Sequence, residues 1–420
     1  MKTKEKMAAL LIAITCLGFL SGIGAQELRK ERKYWVGEIT KNFKVQKGGA
    51  LVMDEVRGDI TIKTWEKAEV QIHEVKRMDI FTKSEAEAAM EESKTGYVQE
   101  GNTITIGGPA FDRKWIQSTF EIFLPVEFNC NIETQGGELA IEGIKGTVDA
   151  STGGGEVTLT KIDGPVKAKT GGGEVLIRST TQRVFVSTGG GNVELTDCGG
   201  TVEVKTGGGE INIERTKGDV SASTGGGDVE IRETQGGVNV STGGGGIDII
   251  DATGDVTAKT GGGDIHIRNI NGNFNASTGG GSVEGSSIKG SLDVHTGGGE
   301  IKLGDVQGAI EVSTGGGDIN IAMSLKDFSI DHHMEIKTGG GDIEISLPEK
   351  LPASIQAEIK YDRRRWEDYK ITSDFPVQIT TEDEGSRYRI IRATGDINGG
   401  GDLIHLRTAG GNIRIRKVQR

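Results

Sequence analysis

Thr152-Gly-Gly-Gly-Glu-Val-Thr-Leu-Thr-Lys-Ile-Asp-Gly-Pro-Val-Lys-Ala-Lys169 decides the fold, because this stretch returns, varied but in register, along the middle of the chain. Its opening Thr-Gly-Gly-Gly recurs at Thr170, Thr188, Thr206, Thr224, Thr242, Thr260, Thr278, Thr296 and Thr314, always 18 residues apart. An imperfect copy, Thr134-Gln-Gly-Gly137, lies one period earlier, and a further full copy at Thr338 follows Thr314 by 24 residues. A fixed short period of this kind marks a solenoid whose coils stack on one another.

Each coil divides into two halves, a turn and then a short alternating strand. The apolar positions are Val157, Leu159, Ile162, Val166 and Ala168, repeated as Ile211, Ile213, Thr216, Val220, Ala222 and as Ile265, Ile267, Ile270, Phe274, Ala276. Period-two alternation places them on one face of each strand. The first turn is the glycine triplet; the second usually holds one glycine, as at Gly164, Gly200 and Gly218. Glycine supplies positive φ and lets stacked turns approach closely, at roughly 0.5–1 kcal/mol per residue relative to Ala. By the same parity the repeated Thr points inward, where its hydroxyl can bond turn backbone and the Thr one coil away. That is a structural ladder; no general base recurs beside it. The expected fold is all-β: a narrow, single-stranded parallel β-helix (β-solenoid) of 18-residue coils with β-rich terminal caps. The crossover rule favours right-handed winding, and about twelve coils at ~4.8 Å give a rod of roughly 55–60 Å.

The flanks divide the remainder. Lys2, Lys4 and Lys6 precede an apolar run, Met7 to Leu20, and Ile23-Gly24-Ala25 reads as a cleavage site before Gln26. The run is shorter than the roughly 20 residues a membrane span needs, so residues 1–25 read as a secretory signal peptide. A lipoprotein signal at Cys16 fits less well, because Thr15 precedes it and the apolar run continues past it. No later segment is apolar enough to span a membrane, so the chain is expected to be exported: periplasmic, at the cell surface or extracellular. Residues 26–133 read as a β-rich segment with one short helix, capped by Ser84 with Glu87 completing a capping box. The repeats run over 134–345, and 346–420 read as a C-terminal β cap; both ends would hide open sheet edges.

Charge excludes some partners. The chain carries −12, and removal of residues 1–25, with three Lys and one Glu, takes it to −14. That balance argues against nucleic acid, whose binding depends on neutralising phosphates, and disfavours an anionic membrane. Cys130 and Cys198 are expected to be free and buried: about four coils apart they would be ~19 Å distant, far beyond the roughly 7 Å a disulfide tolerates.

The position after each triplet is usually acidic: Glu138, Glu156, Glu174, Glu210, Asp228, Asp264, Glu300, Asp318 and Asp342. Such a row is either solvated, with carboxylates accepting from backbone N–H groups, or a calcium ladder. Calcium-binding β-rolls carry Gly-Gly-x-Gly-x-Asp-x-aliphatic, a register this chain lacks, so no cofactor is assigned and calcium stays as the alternative. His266 and His295 lie on outward positions of different coils, His73 and His405 in the flanks. His332-His333, in the insertion before Thr338, are expected in a solvated loop, with a metal site as the alternative. Arg363-Arg-Arg-Trp-Glu-Asp-Tyr369 reads as an edge strand or loop of the cap, and otherwise as a cationic, aromatic surface. No catalytic, cofactor-binding or metal-ligating residue is assigned.

The succession Gly58–Trp65, Phe120–Pro125, the Thr-Gly-Gly-Gly coils, Asn398-Gly-Gly-Gly401 and Gly411-Asn-Ile-Arg-Ile-Arg416 resembles the bacterial adhesin-like family of β-strand repeats, the toast-rack domain of unknown function. The resemblance covers about residues 35–420. It implies a β-helix in a secreted or envelope protein and supplies no catalytic motif. The expected function is a non-enzymatic, adhesin-like scaffold for contacts with a surface protein or glycan. A cation-stabilised structural or sensory envelope module is the alternative, and a polysaccharide-active β-helix enzyme a more distant one. Specificity is expected where the period breaks: in 26–133, around His332, and at Arg363–Tyr369.

Overall fold

A computed structural model describes residues 28–108, 115–325, 327–362, 364 and 368–418. Each repeat contributes two strands, as in Val157–Ile162 followed by Val166–Thr170. First-half strands pair in parallel with the next coil, Val157 opposite Val175 and Leu159 opposite Ile177. Second-half strands do the same, Val166 opposite Val184 and Thr170 opposite Thr188. Two parallel sheets therefore face each other, and the apolar positions read from the sequence, together with the repeated Thr, are buried between them. The protein is an all-β solenoid.

The flanks continue the same ladders. In the first sheet Leu139–Glu142 pairs in parallel with Asp59–Trp65, which pairs with Ile116–Pro125. Antiparallel strands Glu69–Met78, Tyr34–Lys44 and Arg29–Glu31 then extend that sheet. In the second, Phe128–Thr134 is followed by Gly49–Val56, Thr103–Gly107 and the antiparallel Gly96–Glu100. One hydrophobic cluster runs from Val45 to Ile415. The first sheet reaches 19 strands, about 85 Å at ~4.8 Å each, longer than expected because the ends add coils as well as caps.

Both ends are interleaved. The coil Asp402–Lys417 lies between Met334–Leu347 and Ala353–Ser373: Ile404 pairs with both Met334 and Ile355, and Ile413 with both Ile343 and Ile371. At the other end Gly49–Trp65 is likewise held between Thr103–Pro125 and Phe128–Glu142. Antiparallel strands, Tyr388–Ile397 and Gln378–Glu384, complete the second sheet beyond Ala353–Asp362.

Two expectations change. The helix spans Lys83–Glu92, and its N-cap is Thr82, not Ser84, with Glu85, not Glu87, completing the capping box. Both Thr82 and Ser84 have Glu three residues on; starting at Thr82 sets Ala86, Ala89 and Met90 against a small satellite core with Met78. Positive φ also falls elsewhere than expected. No glycine of the Thr-Gly-Gly-Gly runs adopts it, although Gly399 and Gly400 of the terminal Asn-Gly-Gly-Gly do; within those coils it belongs to Lys161, Ser179, Asp197, Arg215, Glu233, Asp251, Asn269, Ser287 and Asp305, one per coil at 55–61°. These residues bulge out of the ladder, so that Thr160 and Ile162 pair with Arg178 and Thr180 while Lys161 is passed over. The first and third glycines of each triplet serve close approach instead. A Cβ on Gly173 would lie 2.0 Å from the Gly155 carbonyl oxygen, whereas one on Gly172 would meet nothing within 4 Å.

Candidate functional site

The corner beside each triplet is a hydrogen-bonded file. Thr170 Oγ1 donates to the Gly155 carbonyl at 2.8 Å and accepts from the Gly173 N–H at 3.1 Å. Gly173 in turn accepts from Thr188 at 2.9 Å. The same pair of bonds recurs at Thr206, Thr242 and Thr278. The Thr hydroxyls are thus linked through the third glycine and not to one another. Each of these Thr hydroxyls both donates and accepts, unlike the buried Thr180, Thr216 and Thr234 hydroxyls of the first sheet, which have no hydrogen-bond partner.

The acidic row is exposed except at the half-buried Asp342, and its short members clamp the next coil. Asp228 Oδ1 accepts from the Gly246 N–H at 2.7 Å, Asp264 from Ser282 at 2.7 Å and Asp318 from Asp342 at 2.8 Å. Asn192 does the same toward Glu210 at 2.9 Å. A second row, unassigned from sequence, does so at the opposite corner: Asp219 toward Gly237 at 2.8 Å, Asp255 toward Asn273 at 2.8 Å and Asn273 toward Ser291 at 3.0 Å. Its signal was the recurrence of Asp or Asn at the second turn. One methylene puts the carboxyl oxygen within reach of an amide one coil on; the longer Glu156 instead accepts from Thr158 Oγ1 at 2.8 Å. Among the described residues no three His, Cys, Asp or Glu converge as a metal site would require.

The breaks in the period hold different chemistry. His332 is buried, not in a solvated loop. Its Nδ1 lies 2.9 Å from the Ile330 carbonyl and 3.2 Å from Asp402 Oδ2, and its Nε2 2.8 Å from the Pro352 carbonyl. The insertion folds back because its His can bond three segments at once: its own loop, the connection before Ala353, and the start of the wedged coil. His333 stays exposed. Of Arg363–Tyr369, residues 363 and 365–367 lie outside the described residues. Arg364 is exposed and binds Asp362, with Nη2 to Oδ2 at 2.9 Å. That guanidinium, then Arg387, holds the Asp362 carboxyl well below its ordinary range. Tyr369 packs edge-on against Tyr361.

In the N-terminal segment the alternation Val70, Ile72, Glu74, Lys76, Met78 carries two charges to the buried face. Thr95 Oγ1 donates to Glu74 Oε1 at 2.8 Å and the Tyr97 hydroxyl to Oε2. Lys76 Nζ lies 3.4 Å from Glu74 Oε1 and donates to the Ser93 carbonyl at the helix C-cap. Burial pushes the Lys76 ammonium down against the opposing pull of Glu74, and burial followed by Glu74 pushes the Tyr97 phenol up. A cavity of about 60 Å³ adjoins this cluster, lined also by Glu55, Arg57 and Ser118. The parity was legible in the sequence; the partners were not, since they arrive from the helix and the strand Gly96–Glu100. The arrangement ties the helix end to the sheet. Cys130 and Cys198 are free and buried. Burial pushes the Cys130 thiol up to about 12 and raises that of Cys198.

Against known proteins, the family model described as Toastrack DUF4097 matches residues 57–249 and again 232–398. The chain belongs to this toast-rack family. No curated protein matches it. A solved "putative cell adhesion protein" from Clostridium sporogenes aligns over 91% of this chain and 100% of its own, at 8% identity and a TM-score of 0.15. That similarity is too slight to argue from. The two toast-rack matches overlap within the regular coils, as expected where one repeat can be aligned at several positions. No helix among the described residues is long and apolar enough to cross a membrane.

Proposed function

We propose that this toast-rack chain is an exported, non-enzymatic scaffold of the cell envelope or surface that presents its sheet faces to a protein or glycan partner, as an adhesin does. The observation that carries this reading is the single uninterrupted core from Val45 to Ile415. It makes the two outward faces continuous along a stiff rod, repeating polar side chains every ~4.8 Å. The buried ionisable groups support it further: Glu74, Lys76 and His332 are each engaged by neighbouring protein groups. Glycan and host-matrix arrays, together with a pull-down from intact envelopes, test the reading. A saturable partner is expected; uniformly blank arrays and an empty pull-down would refute it, and turnover of a polysaccharide would replace it with the enzyme reading. Export is tested by N-terminal sequencing of the secreted chain, which should begin at Gln26. The bonds that Asp228, Asp264 and Asp318 accept from backbone N–H groups support a scaffold that holds without a cation. Its melt should be the same in chelator and in calcium, and a calcium-dependent rise would favour the cation-stabilised module.

A further inference from the structure

The rod has chemically distinct ends. At the N-terminal tip, strands Arg29–Glu31 and Tyr34–Lys44 close the first sheet through a tight hairpin. Residues 29–33 read Arg-Lys-Glu-Arg-Lys, four cations against one acid. Trp35 pairs with Met78, Met78 with Ile116, and the Asp79 N–H donates to the Trp115 carbonyl at 2.9 Å, so these strand ends lie side by side. The result is an aromatic corner: Phe81 is 93% exposed, Trp115 46%, and Tyr34 and Trp35 are half-buried. Lys33 Nζ sits 4.7 Å from the Tyr34 ring centroid and Lys30 Nζ 5.4 Å from that of Trp35. The acids here are Glu31 and Glu38, both bound to Arg29 at 2.8 Å and 2.6 Å, and Asp79, bound to Lys33 at 2.7 Å; Lys30 and Arg32 carry the remaining positive charge.

We infer that this corner is a membrane foot, which seats the rod upright on an anionic phospholipid surface. Aromatic rings beside Lys and Arg suit the zone between headgroup and acyl chain, where one end of the side chain is apolar and the other wet. The charge pattern sets the orientation. The whole chain is acidic while residues 29–33 carry four cations against one acid, so an anionic surface attracts this hairpin and repels the shaft, against the opposing charge of Glu85, Glu87, Glu91 and Glu92 on the helix packed beside it. Leu28 packs beside Trp35 in the satellite core, which holds the hairpin at this end. The overall charge that disfavours flat docking on a membrane therefore favours end-on docking. The foot builds on the scaffold reading but is separable from it: blank arrays with intact vesicle binding would remove the adhesin and leave the foot.

The test is co-sedimentation of the processed chain, beginning at Gln26, with phosphatidylglycerol-containing and with pure phosphatidylcholine vesicles. Binding is expected to the anionic vesicles, weakened by salt and markedly lower on phosphatidylcholine. Phe81→Asp should abolish most of it. Lys30→Glu with Arg32→Glu should weaken partitioning at least about tenfold, since each basic residue near such a surface contributes about fivefold. Melting midpoints of the variants should match the parent, because Phe81, Lys30 and Arg32 are exposed. Absence of sedimentation with either vesicle, or undiminished binding by both variants, would overturn the inference. So would size-exclusion showing a dimer that Phe81→Asp disperses, because a second copy would then be the occupant.

Discussion

Two neighbouring glycines of one triplet should respond oppositely to the same substitution. A Cβ on Gly227 would stand 2.1 Å from the Gly209 carbonyl oxygen, 2.5 Å from its carbon and 2.8 Å from the Glu210 nitrogen, all backbone. Relief requires the two coils to part by more than an ångström locally. The peptides that must move carry three hydrogen bonds: the Gly227 N–H to Thr224 Oγ1 at 3.2 Å, Thr242 Oγ1 to the Gly227 carbonyl at 2.9 Å, and Thr224 Oγ1 to the Gly209 carbonyl at 2.8 Å. At about 1 kcal/mol per bond, with roughly 1–3 kcal/mol more for a stranded buried group, Gly227→Ala should cost about 4–6 kcal/mol. A Cβ on Gly226 meets nothing within 4 Å and its φ lies outside the left-handed region. Gly226→Ala should therefore be neutral or stabilise by up to about 1 kcal/mol, through the entropy of the unfolded chain. Urea denaturation followed by circular dichroism measures both. Equal losses, or a larger loss at Gly226, would refute the view that the triplet exists for coil-to-coil contact.

Other tests address different parts of the rod. Glu233 is exposed and sits at φ 55°, so Glu233→Ile should cost about 1–2 kcal/mol through the backbone alone, while Glu233→Asn should not destabilise; a harmless Ile would contradict the bulge. Acid should open the wedged coil first. Burial tends to raise Asp342, Glu335 and Glu358, but it is outweighed by the Asn412 N–H and Arg414 at Asp342, by Lys337 and His405 at Glu335, and by Arg392 and Arg407 at Glu358, leaving all three lowered. Depressed carboxylates stabilise fully above the usual range near pH 4 and lose that contribution as pH falls through their folded values. Pepsin cleavage on acidification should therefore begin around Asp402–Lys417, and Asp342→Asn should flatten the pH dependence; identical profiles would refute the assignment. A thiol reagent at mildly alkaline pH should find neither Cys130 nor Cys198 in the folded chain and two thiols per processed chain in denaturant, with a third marking a retained Cys16.

The core was readable because its rule is local: strand alternation and an 18-residue period name the inward positions without knowledge of the partner coil. The bulge was visible in the same text. Val157 to Leu159 steps by two and Leu159 to Ile162 by three, a break in parity that the φ of Lys161 explains. The helix boundary slipped by two residues because Thr82 and Ser84 satisfy one capping pattern equally well, and only the packing of Ala86, Ala89 and Met90 separates them. His332 was misplaced for a related reason: its acceptors at Pro352 and Asp402 lie 20 and 70 residues away, and nothing near it in the chain announces them.

By itself the amino-acid sequence determined that this chain stacks, which side chains face inward and that the Thr row is structural, because a repeat imposes one local environment many times over. Tertiary structure decided what happens where the repetition stops. The coil Asp402–Lys417 lodges between two earlier ones, Glu74 and Lys76 find partners inside the fold, and aromatic and basic residues in and beside the ends of paired strands are brought to one tip. Those contacts join residues far apart in the chain, and their geometry depends on coils that no single period describes.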